Sequence, residues 1–251
     1  MDKKDGITFQ CFDAWHIGYI LLFVLTAVFA AVYLRNKTVE KRRKVISGMI
    51  NIAFGLYMAD FFLMPLAYGA IDTEKLPFHI CTTMCVLCFA SRYNTFLKKY
   101  KLQFAALGFL CNLVYLMYPA GVMWHSVHPL SYRVVQTLAF HGVMMVYGAL
   151  VLIYESDGFS WRKCYRDLVL VVGMTGWAML GNAIYNSDTK VYNWFFVVQD
   201  PFAMFPMEIS SYIMPGLNIL LFFGVEMLVY LVFGRLSANR SATKRERGRW
   251  L

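Results

Sequence analysis

The chain has 251 residues, of which 59% are apolar and only 16% charged. A soluble domain carries about a quarter charged residues. Here the apolar side chains come in long blocks rather than amphipathic stripes, which excludes a soluble core, disorder and a fibrous repeat. The net charge of +9 falls in short loops between the blocks, so it reads as a topology signal and not as a nucleic-acid patch.

A membrane helix needs roughly 17–25 mostly apolar residues, because hydrocarbon forces every backbone group to pair within its own segment. Seven stretches meet or approach that length: Trp15–Leu34, Val45–Gly69, Leu76–Ser91, Leu102–Met123, Ser131–Tyr154, Leu168–Tyr185 and Tyr212–Gly234. The first reads as a span rather than a removable leader. The third is the shortest and carries three cysteines. Trp194–Pro206 is too short to cross, and its Asp200-Pro201 and Phe205-Pro206 steps predict a re-entrant or surface-lying segment before the last span.

Of the 24 Lys and Arg, 19 lie in alternate loops and the C-terminal tail, and 5 on the opposite side. The positive-inside rule then gives an outside N-terminus and a cytoplasmic C-terminus. The prediction is an all-α polytopic membrane protein. A seven-helix domain covers residues 1–234, and a basic cytoplasmic tail covers 235–251.

Polar groups within spans are costly and therefore mark sites or packing devices. They are His16, Asn51, Asp60, His79, Asn112, Gln136, His141, Asn182 and Glu226, with the cysteines at 81, 85 and 88. The i, i+4, i+7 spacing puts the three thiols on one helical face. Counted from the outer ends of their spans, Cys81 and His141 lie roughly 8 and 12 Å deep at 1.5 Å per residue. A thiol beside an imidazole is a nucleophile–base pair able to carry an acyl group as a thioester. His79 is two residues from Cys81 on the same helix, where side chains diverge, so His141 is the better partner. Pro77 suits a first helical turn, which would leave Cys81 near a helix N-terminus that favours a thiolate. Two other readings stand beside this one: cysteines as small residues that let helices approach, and soft ligands for a metal. No metal and no cofactor are expected.

The sixth loop mixes aromatics with amides. Asn182, Asn186, Asn193, Trp194 and Asp200, with His79 and Gln136, are the candidates for lining a lipid headgroup site. The tryptophans and tyrosines also suit interfacial anchoring. Asp60 and Glu226 are deeper and open a different function, a small-molecule or ion carrier. A third alternative is a non-catalytic binding or scaffold protein. The expected partners are membrane phospholipids, with no nucleic acid and no obligate protein partner.

Leu76-Pro77-Phe78-His79-Ile80-Cys81, Ala139-Phe140-His141-Gly142, and the Gly181-Asn182 to Tyr192-Asn193 stretch ending near Asp200-Pro201 resemble the YwaF-like bacterial integral membrane family. That family is related to the eukaryotic transmembrane protein 164 family. The resemblance implies acyl transfer between phospholipids or hydrolysis of their acyl esters, with Cys81 as nucleophile and His141 as its base, in a bacterial cytoplasmic membrane. Thr82 and Thr83 follow the cysteine where many relatives carry an acidic or amide residue, which implies different headgroup contacts.

Overall fold

With no water in hydrocarbon to satisfy the backbone, the apolar blocks become helices. The computed structural model describes residues 7–69, 73–123, 126–155, 161–188, 190–200 and 204–247. In chain order the helices are α1 (Ala14–Leu34), α2 (Val39–Tyr68), α3 (Ile80–Ala90), the single turn α4 (Thr95–Lys98), α5 (Lys101–Met117), the single turn α6 (Ala120–Met123), α7 (Tyr132–Tyr154), α8 (Tyr165–Tyr185) and α9 (Met207–Arg247). Three 3-10 turns, Thr73–Lys75, Trp161–Lys163 and Trp194–Phe196, punctuate the connections. Six helical segments among the described residues are long and apolar enough to cross a membrane, Lys101–Met123 counting as one.

Local chemistry sets the ends. The Asp13 carboxylate accepts from His16 N at 2.7 Å to start α1, Thr38 caps α2 and Ser131 caps α7. Gly69 ends α2 in a left-handed conformation (φ 76°) that a side chain would resist. Tyr118-Pro119 interrupts the fourth stretch between α5 and α6, whereas Pro215 is accommodated inside α9. α9 continues past Gly234 to Arg247, so the backbone has no break where the basic tail was expected to begin, and residues 248–251 of that tail lie outside the described residues.

α7 is the axis of the bundle and the most enclosed span. It packs on α1, α2 and α5, and glycines permit the close approaches. A Cβ on Gly148 would stand 2.7 Å from the Ala105 carbonyl oxygen of α5, and one on Gly142 would stand 2.2 Å from the Phe23 ring of α1. Apolar side chains cover the outside as well, among them Phe29 and Phe62 (each 73% exposed) and Leu66 (83%). An apolar exterior of this extent belongs in lipid.

The helix ends sort into two levels. At the near end, His16 Nε2 bonds the Leu116 carbonyl (2.7 Å), Tyr132 OH donates to Asp60 (3.0 Å), and Trp194 Nε1 donates to the Glu74 carbonyl. At the far end, Tyr154 OH donates to the Ala31 carbonyl, Lys101 pairs with Glu155 (2.6 Å), and Arg166 lies over Tyr100. α2 therefore finishes at the near end and α5 starts at the far end. Residues 73–100 carry the chain from one to the other.

The sequence predicted one helix over Leu76–Ser91. The structure instead has 11 helical residues, Ile80–Ala90, about 16 Å at 1.5 Å per residue, or half a hydrocarbon core. The stretch before it runs inside the bundle as irregular backbone, which is tolerated at that depth only where protein satisfies it. Tyr57 OH donates to the Lys75 carbonyl (3.1 Å), while Trp177 Nε1 and Thr83 Oγ1 both donate to the Pro77 carbonyl (2.6 Å each).

Candidate active site

Pro77 and Phe78 fix the start of α3. The Phe78 ring lies against Trp177 (4.9 Å between centroids) and Trp194 (4.8 Å). It fills the space left by Gly181, where a Cβ would fall 2.4 Å from the ring. His79 caps α3 without a side-chain cap bond. Its Nδ1 instead accepts from Phe195 N at 3.5 Å, the outer limit of such a bond. Thr82 and Thr83 turn their hydroxyls back to the His79 carbonyl (2.9 and 3.0 Å), so both threonines are occupied locally.

Cys81, in the first turn of α3, is buried, as are Cys85 and Cys88. Its thiol faces that of Cys111 on α5, which lies near the Gly108 carbonyl (3.4 Å). His141, in mid α7, is 7% exposed. Its ring stacks on Tyr115 at 3.7 Å and 13°, and its Nδ1 lies 2.6 Å from Asn112 Oδ1. Asn112 is 0% exposed, and its amide nitrogen donates to the Gly108 carbonyl at 2.6 Å. That bond turns Oδ1 toward the imidazole. An amide oxygen only accepts, so Nδ1 carries the proton, and the lone pair of the neutral ring is on Nε2. Among the described residues no hydrogen bond joins Cys81 to His141. Cys111, which the Cys81 thiol faces, and Asn112, which bonds His141, are neighbours on α5.

Asn112, Tyr115 and Cys111 are the residues that spacing did not select. Asn112 shows itself in the sequence as an amide in an apolar helix. Which face of α5 it occupies becomes visible only in the packing.

Toward the near end the polar groups continue. Lys75 Nζ bonds Asp60 Oδ2 (3.1 Å) and Thr137 Oγ1 (3.3 Å). Thr137 donates to Gln136 Oε1 (3.3 Å), and Gln136 Nε2 donates to the Leu56 carbonyl (3.2 Å). Asp60 thus has a lysine and a tyrosine, Tyr132, as partners. Glu226 is on α9, faces Asp167 of α8, and is 0% exposed. The two acids considered together as a carrier site sit in different parts of the bundle with different partners.

These amides are structural clamps, Asn182 from the last turn of α8 and the others from the loop after it. Asn182 donates to the Trp194 carbonyl (3.2 Å) and accepts from Trp194 N (3.0 Å). Asn186 does the same for Tyr192 (3.2 and 2.6 Å). Asn193 donates to the Gln199 carbonyl (2.8 Å) and accepts from Val198 N and Gln199 N (3.0 Å each). Asp200 accepts from Met204 N (2.5 Å) and Phe205 N (3.1 Å), and its own N–H donates to Ser210 Oγ. Trp194 is buried and stacks on Tyr192 at 4.5 Å. Phe195 and Phe196 both hold left-handed backbone (φ 57° and 53°), a strained choice for bulky residues. Asn218 of α9 grips their carbonyls at 2.7 and 3.3 Å. Beside this turn a recess of about 250 Å³ opens between α8 and α9, with Met179, Ala183, Val198 and Ser211 in its walls.

No three His, Cys, Asp or Glu side chains converge as a metal-binding set among the described residues. The sequence profile of the TMEM164 family matches residues 11–236. The chain belongs to the TMEM164 family. The match runs from the turn before α1 into α9 and so includes every site residue described above. No curated protein and no solved structure matches this TMEM164 family chain.

Proposed function

We propose that this protein is a membrane-embedded acyl-transferring enzyme acting on phospholipid esters, with Cys81 as nucleophile and His141 as general base. The observation that carries the reading is the Asn112–His141 bond, which leaves a neutral imidazole with its lone pair at Nε2. Membership of the TMEM164 family agrees with it. In the resting state the Cys81 thiol lies against Cys111, and a substrate ester entering between α3 and α7 turns it toward His141.

The Cys81 S–H proton passes to Nε2 and the sulfur attacks the ester carbonyl. The C–O bond breaks and the departing lysophospholipid oxygen takes the proton from Nε2, leaving a thioester. A second lipid hydroxyl, or water, gives its proton to Nε2 and attacks the thioester carbonyl. Sulfur leaves and is reprotonated. Asn182 and Asn193 have their amides committed to the loop, so backbone N–H groups at the start of α3 are the donors to the oxyanion. Asn182, Asn186, Asn193, Trp194 and Asp200 serve the substrate by shaping the loop that walls the recess, which seats an acyl chain. His79 and Gln136 line the approach from the near end.

In this reading the irregular stretch and α3 make a seventh crossing, and Trp194–Pro206, of which residues 201–203 lie outside the described residues, is a re-entrant segment. The N-terminus is outside and the C-terminus is in the cytoplasm of a bacterium. The test is reconstitution with a phospholipid carrying a labelled acyl chain and an unlabelled lysophospholipid acceptor. Label moves with wild-type protein and stops in Cys81→Ala and His141→Gln. Equal transfer by Cys81→Ala removes the nucleophile and the reading with it.

A further inference from the structure

The far-end half of the α8–α9 seam holds chemistry that acyl transfer leaves unused. Asp167, in the first turn of α8, and Glu226, in α9, are 1% and 0% exposed. Tyr230 follows Glu226 by one turn on the same face of α9 and donates its hydroxyl to Asp167 Oδ1 at 2.8 Å. Glu226 therefore looks at the same carboxyl, and the two acid groups meet within hydrogen-bonding reach. Among the described residues nothing donates to either oxygen of Glu226 or to Oδ2 of Asp167. Ala106 and Leu152, with Met227 and Phe233, pack around Tyr230, so the surroundings are apolar.

Cations do not resolve the pair. Arg166 acts on Asp167 from the neighbouring position, but its guanidinium lies over the rings of Tyr100 and Tyr165. Lys101 of α5 is taken by Glu155, which follows α7. Two carboxylates facing each other in an apolar seam without a cation are prohibitively costly. A single proton between them makes one a donor to the other and satisfies both.

We propose that Asp167 and Glu226 form a proton-binding site that holds one shared proton at neutral pH and fastens α8 to α9 through it. Loss of the proton leaves two like charges facing across a low-dielectric seam, and the repulsion parts the helices. The folded protein then binds a proton that the unfolded chain does not, so stability falls as pH rises through the release.

The site is read directly by infrared spectroscopy of purified protein in lipid at neutral pH. Wild type shows a carboxylic-acid carbonyl band that moves on exchange into D₂O and vanishes on raising the pH. The Asp167→Asn/Glu226→Gln double variant, which keeps the shape and removes the titration, lacks it. Denaturation in detergent across the same pH range shows stability lost as the band disappears, and a flat profile in the double variant. Identical spectra for wild type and variant overturn the proton site. Band loss without loss of stability overturns the fastening. A band that responds to sodium at fixed pH replaces the proton by a metal cation and also overturns the proposal. Every measurement can be made in a Cys81→Ala background, so the result is independent of the acyl-transfer reading.

Discussion

Asn112 Oδ1 accepts the Nδ1 proton of His141 at 2.6 Å, while the amide nitrogen of the same asparagine is tied to the Gly108 carbonyl one turn back on α5. One side chain therefore decides both where the imidazole points and which of its nitrogens is basic. Asn112→Leu keeps the volume and removes both controls. Turnover by the Cys81–His141 pair is expected to fall by about 10²-fold or more with little change in KM. In wild-type protein, nitrogen NMR of His141 should report the Nδ1–H tautomer, and a mixture in Asn112→Leu. Unchanged turnover would leave Asn112 a packing residue.

Ala183 lies in the wall of the recess between α8 and α9. Ala183→Trp fills that space with a large ring. Transfer of long acyl chains should drop at least tenfold while short-chain esters are processed as before. Equal loss for both lengths would show that the recess does not hold the chain.

The Asn182 amide satisfies both backbone groups of Trp194, which is 1% exposed. Asn182→Leu leaves a buried N–H and a buried C=O without their partners. The expected cost is about 2–4 kcal/mol, read as a shift in detergent denaturation, with Trp194 fluorescence moving toward that of a wetter indole.

Asp60 is buried and Lys75 is 22% exposed at their 3.1 Å contact. Removing one partner strands the other. Lys75→Met or Asp60→Asn alone should each destabilise by about 3 kcal/mol. The double variant should cost less than the sum of the two, as a double-mutant cycle in detergent would measure.

Gly142 sits under the ring of Phe23, with room for no Cβ. Gly142→Val pushes α1 off α7 next to His141. It should lower both stability and turnover, and Phe23→Ala in the same chain should restore part of each.

The six long helices were legible because an apolar run of membrane length has one outcome in hydrocarbon. α2 begins at Val39 rather than Val45 because Thr38 caps it and the intervening Lys and Arg are good helix formers outside the apolar layer. The third stretch was legible as apolar but not as half a helix. Pro77 gives its carbonyl to Trp177 and Thr83, and Lys75 just before the stretch gives its own to Tyr57, partners from α8, α3 and α2 that no local pattern announces. The amides of the sixth loop were legible as costly groups needing partners, but the partners are backbone in the same loop. Charge and depth alone suggested joining Asp60 to Glu226. Packing gave each a different neighbour: Lys75 before α3, and Asp167 on α8.

The irregular stretch ahead of α3 has a bearing on which changes the chain tolerates. It is a spacer of fixed count between two anchored points, the Lys75 carbonyl under Tyr57 and the first turn carrying Cys81. One residue added or removed there turns the helix by about 100° and swings all three thiols away from their present neighbours together. Length, more than identity, is what evolution must guard between Lys75 and Ile80.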